Sequence, residues 1–263
     1  MHKVQCMNSN LFDLTGKVAL ITGSTRGIGR AIAEHMARAG AKVVISSRTA
    51  ADCETVAQSI RDQGGEALAA AASISKYAEL QSLVQRTRDT WGCIDILVCN
   101  AASNPYYGPL LGISDELHDK VMRNNILSNL WLCKLVSPEM VSRRDGAIII
   151  VSSIAGLRAS AAIGAYGISK AADMQLARNL ALELGKSNVR VNCIAPGLVK
   201  TDFARALWEN PKFAAEREQG TPLGRLGEPD DIAGIAVMLA SRAGAFVTGQ
   251  AIVVDGGVTI GGG

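Results

Sequence analysis

No apolar run in the 263 residues approaches the roughly 18 positions of a membrane-spanning helix. Residues 1–13, MHKVQCMNSNLFD, are polar and lack an apolar h-region, so they read as a loose arm and not as an export signal. An excess of one charge is missing too. Lys+Arg 27 against Asp+Glu 24 gives a formal net charge of +3, too slight and too evenly spread for a nucleic-acid surface. The six cysteines include no C-x-x-C pair and no pairing pattern of a small secreted scaffold, so they read as reduced thiols. A soluble, cytoplasmic protein with no metal is expected. No low-complexity linker, internal repeat or break in composition divides the chain, and residues 14–263 are read as one domain.

What is present is hydrophobic mass, 48% of residues, enough for a sizeable core. It comes as short β-branched or aliphatic runs: KVALIT (17–22), AKVVISS (41–47), EALAAAA (66–72), DILVCN (95–100), GAIIIVSS (146–153), VRVNCIA (189–195) and QAIVVDGG (250–257). Most are apolar on both faces, as strands covered by helices on both sides must be. EALAAAA is the weakest, because alanine prefers helix. Between the runs, Ile28, Ile32 and Met36 recur at four-residue intervals with Ala33 and Ala37 beside them. Val56 with Ile60, and Leu80, Leu83 and Val84, mark further amphipathic stretches. The alternation predicts a single α/β domain, a doubly wound parallel sheet of about seven strands.

Two short segments carry chemistry. In TGSTRGIG (22–29), Gly23, Gly27 and Gly29 are spaced G-x-x-x-G-x-G, unlike the usual G-x-G-x-x-G fingerprint. Lying directly between a strand and a helix, they favour a turn whose backbone N–H groups approach a pyrophosphate over a turn without a ligand. In AYGISK (165–170), Tyr166 and Lys170 stand one helical turn apart, with β-carbons expected about 5–6 Å from each other. The ammonium is expected to lower the phenol's pKa from about 10, so that it trades a proton near neutral pH. Taken alone, the spacing also describes a bland surface pair.

Together these segments resemble the short-chain dehydrogenase/reductase family, from about Leu14 to Gly257 and in the family's order. The order runs TGSTRGIG, CNAA (99–102), Asn125 in RNNIL, Ser153 in IIIVSSIAG, YGISK, PGLVKTD (196–202) and VDGG. The interval of 13 from Ser153 to Tyr166 is the family's usual one. The resemblance implies a Rossmann domain that binds a nicotinamide dinucleotide. Tyr166 would be the general acid or base at a carbonyl or alcohol oxygen. Lys170 would depress its pKa and hold the nicotinamide ribose. Ser153 would hold and polarise the substrate oxygen, leaving Ser152 the plain strand-end role. Asn125 would position a helix carbonyl and a water that refill the proton through Lys170, with the adjacent Asn124 as the competing reading.

For the cofactor, the resemblance implies Gly23, Ser24, Thr25, Arg26, Gly27, Ile28 and Gly29 in the turn, and Ser47 and Arg48 after the second strand. It adds Ser73 and Ile74 after the third strand, and Asn100 and Ala101 after the fourth. Pro196, Gly197, Val199 and Thr201 would wrap the nicotinamide, with Tyr166 and Lys170 facing it. An enzyme that prefers NAD generally carries an acid at the end of the second strand for the ribose 2′-hydroxyl. Here Ser46-Ser47-Arg48 stands instead, and Arg48 with Arg26 offers guanidinium groups for a 2′-phosphate unless both are solvated surface charges. NADP(H) is expected, with NAD(H) the runner-up. Two departures from the family pattern bear on this site: Ala102 replaces a glycine free to adopt positive φ, and Ser73 stands where many members have an aspartate facing adenine.

A substrate lid is expected over about 198–222, in which Phe203, Leu207, Trp208 and Phe213 either face the site or form helix core. SNPYYGPLLG (103–112) would form the facing wall, with Tyr106 or Tyr107 available for contacts. The expected activity is hydride exchange with a small-molecule carbonyl or secondary alcohol, an apolar or amphipathic ketone or aldehyde, as in carbonyl reductases. The alternative is a 3-oxoacyl-acyl-carrier-protein reductase. Of the two entrance arginines that grip the carrier in that subgroup, Arg144 fits one and Leu182 occupies the other, which argues against it. A non-catalytic dinucleotide sensor would usually have lost the tyrosine or lysine. The family's habit, and apolar residues on more than one face of NILSNLWLCKLV, point to a homotetramer, with a dimer second.

Overall fold

A computed structural model describes residues 10–261. The arm expected over 1–13 lies outside the described residues except for 10–13, where Leu11 O accepts from Ala243 N at 3.0 Å. Each of the seven apolar runs supplies a strand: β1 (Val18–Thr22), β2 (Lys42–Ser46), β3 (Glu66–Ala69), β4 (Ile96–Cys99), β5 (Gly146–Val151), β6 (Val189–Pro196) and β7 (Ala251–Val254). They form one sheet in the order β3-β2-β1-β4-β5-β6-β7, every neighbouring pair parallel. The alanine-rich β3 is an edge strand, where weak strand propensity and partial exposure are tolerated.

Helices fill the crossovers: α1 (Gly27–Arg38), α2 (Ala50–Asp62), α3 (Tyr77–Trp91), α4 (Asp115–Met122), α5 (Ser128–Arg143), α6 (Gly164–Leu184), α7 (Arg205–Trp208), α8 (Pro211–Gln219) and α9 (Pro229–Ala240). Because successive strand residues point to opposite faces, the sheet divides two cores. Ala19, Ile21, Val43, Ile45, Ile96 and Val98 pack with Ile32 and Met36 of α1 and with Ile232 and Ala236 of α9. Leu20, Val44, Leu97, Ile148 and Ile150 pack on the other face with Leu80 and Leu83 of α3, Leu132 of α5 and Met174 of α6. Full burial of such a side chain contributes about 1.5–3 kcal/mol, which is why these strands carry almost no polar residues.

The chain reverses direction across the sheet between β1 and β4, where crossovers leave to opposite sides. In such sheets the crevice beyond the strand C-termini at this point takes the ligand. Among the described residues, no helix is long and apolar enough to cross a membrane.

Candidate active site

A cleft of about 1650 Å³ opens there, lined by the segments that follow all seven strands. Its floor is the glycine turn. Gly23 and Gly27 hold φ of +65° and +53°, in the left-handed region that glycine enters without strain. Gly29 has a different reason: a Cβ would lie 2.3 Å from Gly23 O and 2.4 Å from Asn100 Nδ2. Asn100 in turn donates to Thr22 O at 2.9 Å and Gly23 O at 3.1 Å, clamping the turn to the end of β4. The start of α1 has no side-chain cap, whereas Ser114 caps α4 and Asn210 caps α8. Its unpaired N–H groups and positive dipole end are therefore left for a ligand anion. Gly29→Ala is expected to force this turn apart, costing about 1–3 kcal/mol. Differential scanning calorimetry should register a Tm loss of several degrees, and fluorescence titration should register weakened dinucleotide binding.

Gly23, Thr25, Arg26, Gly27, Ile28 and Gly29 all line the cleft, but Ser24 does not. Its fully buried hydroxyl donates to Ile21 O at 2.8 Å and accepts from Ser46 N at 2.9 Å, and its own N–H bonds Ser46 O. Ser24 therefore locks β1 to β2 and has nothing left to offer a ligand. Ser47, Arg48, Ser73, Ile74, Asn100 and Ala101 border one arm of the cleft. Arg48 is exposed and has no ion-pair partner among the described residues, while Arg26 faces Asp202 at 3.9 Å. The carboxylate bordering this arm nearest in sequence is Asp52, in the first turn of α2 and not at the end of β2. The Ser73 hydroxyl lies 2.9 Å from that of Ser75, and its N–H is taken by Glu79 at 2.8 Å. Ala102 does not have positive φ, so the family's glycine is not needed in this loop. Pro196, Gly197, Val199 and Thr201 line the opposite arm. Thr201 closes on the glycine turn: a Cβ on Gly27 would sit 3.1 Å from its Cγ2.

Ser153, Tyr166 and Lys170 all line the cleft. Ser152 and Ser153 both border the cleft: buried Ser152 donates to Lys170 O at 2.7 Å, and half-buried Ser153 has its Oγ accepting from Ala155 N at 3.1 Å. Lys170 Nζ lies 5.6 Å from the centre of the Tyr166 ring and donates to Val151 O at 2.9 Å and to Asp173 Oδ2 at 3.0 Å. The expected depression of the phenol pKa is not what results. Burial pushes Tyr166 up, Lys170 and the Ser153 hydrogen bond pull it down, Asp173 pushes it up again, and the net direction is up. The ammonium is only one of the groups acting on the phenol, and burial with the carboxylate behind the ammonium outweighs it.

Asn125 is placed differently from these three. It is fully buried, does not line the cleft, and lies in a π turn over Arg123–Leu127 between α4 and α5. Its side chain is spent on Ser103 N (2.8 Å), Ser103 O (3.0 Å) and Ser169 Oγ (3.0 Å), and its carbonyl accepts from Asn129 Nδ2 at 2.6 Å. One of the two lone pairs of that carbonyl is thus taken by a protein amide. Asn124, the competing reading, does border the cleft and donates to Ser103 Oγ at 3.0 Å. Three residues of this region, Asn129, Ser169 and Asp173, are not singled out by the sequence reading. The spacings are visible, since Asn129 is four residues after Asn125 and Asp173 three after Lys170, but the packing of α5 on α6 that joins them is not.

Over the cleft, Phe203, Leu207 and Phe213 contribute to the lining, and the Phe203 ring lies 6.1 Å from that of Tyr166. Trp208 instead anchors this segment, its Nε1 donating to Thr201 O at 2.8 Å. On the facing wall Tyr107 borders the cleft, whereas the Tyr106 hydroxyl is tied to Pro109 O at 2.9 Å. Arg144 and Leu182 are not at the entrance. Arg144 precedes β5 and donates to Lys186 O at 2.9 Å, and Leu182 lies near the end of α6, both remote from the strand C-termini.

Residues 23–259 match a family model described as enoyl-(acyl carrier protein) reductase. Dehydrogenase/reductase SDR family member 4 of Bos taurus is 41% identical over 244 residues, covering 93% of this chain and 88% of that protein. The crystal structure of a gluconate 5-dehydrogenase from Burkholderia cenocepacia J2315 in complex with NADP and tartrate superposes with a TM-score of 0.91 at 34% identity, over 95% of this chain and 98% of that one. A 7 alpha-hydroxysteroid dehydrogenase complexed with NADH and 7-oxo glycochenodeoxycholic acid gives a TM-score of 0.91 at 38% identity, over 95% and 97%. With this sheet and this cleft, the chain belongs to the short-chain dehydrogenase/reductase family of oxidoreductases.

Proposed function

We propose that the protein is an NADP(H)-dependent carbonyl reductase acting on apolar or amphipathic ketones or aldehydes, with Tyr166 as its proton donor. The observation that carries this reading is the convergence of Ser153, Tyr166 and Lys170 on one cleft beside an uncapped helix start. A dinucleotide fits the residues present: the glycine turn leaves no room for side chains at Gly29, and the α1 N-terminus offers free donors to a pyrophosphate. Its nicotinamide supplies or accepts the hydride. Everything else falls to the chain. Ser153 Oγ donates to the substrate carbonyl oxygen and fixes it beside the phenol. Tyr166 passes its proton to that oxygen as negative charge develops there. Lys170 stabilises the phenolate left behind, and one of its three N–H donors remains beyond Val151 and Asp173 for a ribose hydroxyl. Phe203, Leu207 and Phe213 exclude water and supply apolar contact. The carrier-protein alternative draws no support from Arg144 or Leu182, neither of which borders the cleft.

The raised Tyr166 pKa fixes the sign of the pH dependence. The phenol stays protonated through neutral pH, so reduction should hold steady there and decline only on the alkaline side. Alcohol oxidation needs the phenolate and should climb as pH rises. Initial rates in both directions across a panel of diketones, keto esters, steroids and sugars test the reading. A reductive rate that falls between pH values of about 6 and 8 contradicts the assignment of Tyr166 as donor.

Assembly is part of the same proposal. Ile168 is 46% and Leu182 84% exposed on α6, and Ile126, Leu127 and Leu130 are only half-buried where α5 begins. Covering this apolar surface with further copies yields the expected homotetramer. Light scattering at micromolar concentration should report it, and a single 27.6 kDa species would rule it out.

A further inference from the structure

Behind Lys170 lies a charged group that the reaction described above does not use. Asp173 is fully buried, and Lys170, 1% exposed, sits against it with Nζ 3.0 Å from Oδ2. The second carboxylate oxygen accepts from Asn129 Nδ2 at 2.9 Å, and the same amide group donates to the Asn125 carbonyl at 2.6 Å. Asn125 is fixed by Ser169 Oγ, which bonds back to Tyr166 O at 2.7 Å. A closed polar network thus ties the π turn, α5 and α6 to the ammonium, and every member named is under 10% exposed apart from Tyr166. An isolated buried ammonium or carboxylate costs several kcal/mol, so each of the two demands the other.

We propose that Asp173 is the fixed counter-ion of Lys170, a positioning residue that holds the ammonium charged and aimed at the cleft. Deepening the function proposed above, it rests on that reading for its catalytic consequence, while the ion pair itself does not. The other titratable groups facing Asp173 are Tyr166 on its own helix, Cys193 on β6, and Cys99 of β4 beside Cys133 of α5. Cys99, hydrogen-bonded to Cys133 and buried, and Cys193, buried, are both pushed up and remain neutral thiols. Burial pushes the Asp173 carboxyl above its ordinary value, while Lys170 and the Asn129 amide pull it back down, so its charge depends on the ammonium beside it. Burial pulls Lys170 down, but Asp173 and Tyr166 outweigh it and hold it above its ordinary value.

Removing the carboxylate has a definite sign. The first proton lost by the Tyr166–Lys170 pair leaves more readily without an anion beside it, whichever of the two groups releases it. The experiment compares Asp173→Asn, Lys170→Met and the double variant with the wild-type chain. Thermal unfolding of cofactor-free protein at neutral pH should show Asp173→Asn losing roughly 10 °C in Tm. The double variant, with neither charge left to bury, should recover most of that loss. Should Asp173→Asn not accumulate in folded form, recovery of folded protein in the double variant supports the ion pair equally. In the reductive direction with NADPH, the alkaline limb of kcat/KM should move down by about one pH unit in Asp173→Asn. A residue that only filled space would lower the rate at every pH without moving the limb. A Tm within about 2 °C of wild type, or a double variant no more stable than Asp173→Asn, overturns the ion pair. An unmoved limb alongside an inactive Tyr166→Phe enzyme overturns its catalytic consequence and leaves the proposed function standing. Near-normal turnover in Tyr166→Phe overturns the function and leaves the unfolding result to decide the ion pair.

Discussion

Tyr166→Phe is expected to lower turnover by at least about 10²–10⁴-fold, the range of general acid–base catalysis, while leaving dinucleotide binding intact. The substitution removes one hydroxyl and keeps the ring, whose neighbour Phe203 lies 6.1 Å away and whose face is approached by Lys170 Nζ at 5.6 Å. Packing is therefore preserved, and a loss of rate reports the proton. The loss should fall on kcat, because the proton moves only as charge develops on the substrate oxygen. Steady-state kinetics with NADPH and one good carbonyl substrate, beside a fluorescence titration of cofactor binding, separates the two effects. Near-normal kcat in the variant would remove Tyr166 from the mechanism.

The second large effect concerns the cofactor. Ser47→Asp with Arg48→Ala is expected to invert the preference from NADPH to NADH. Arg48 is exposed beside the cleft without an ion-pair partner among the described residues, and the hydroxyl of Ser47 next to it hydrogen-bonds locally, to Thr49 and Cys53. A guanidinium there can take a 2′-phosphate in its fork, and each hydrogen bond to a charged group is worth about 1.5–3 kcal/mol. A single such bond from Arg48 would thus favour NADPH by roughly tenfold to 150-fold, with Arg26, which faces Asp202, adding to it. An aspartate at 47 reverses this by accepting from a ribose 2′-hydroxyl and repelling phosphate. The ratio of kcat/KM for the two cofactors reads the effect, and a wild-type preference for NADH would sink the assignment.

Much of the architecture was legible because its cause is local. Runs such as KVALIT and GAIIIV carry apolar side chains on both faces, which only a doubly covered strand can bury, and the glycine turn announces itself by Gly23 and Gly29. The centre of the site was legible as a set of residue types, and no further. Whether Ser24 faces a ligand or its own sheet depends on hydrogen bonds to Ile21 and Ser46, which the motif does not encode. The direction of the Tyr166 pKa depends on burial and on Asp173, that is, on which groups α6 carries inward once it docks. Asn125 sits in a π turn, one residue out of helical step, and a periodicity of 3.6 cannot anticipate that. These are consequences of tertiary packing, and a local pattern contains them only after the partner helix is in place.

The central claim is hydride exchange with a carbonyl carbon in this cleft, assisted by the Tyr166 proton. Its most direct test is label transfer: the wild-type protein is incubated with NADPH deuterated at the reactive nicotinamide carbon and with each member of the carbonyl panel, and the alcohols are analysed by mass spectrometry. At least one product should carry a single deuterium on the former carbonyl carbon, and that product should vanish with Tyr166→Phe. Tight binding of NADPH with no labelled alcohol from any carbonyl, or labelling that persists at full rate in Tyr166→Phe, would contradict it.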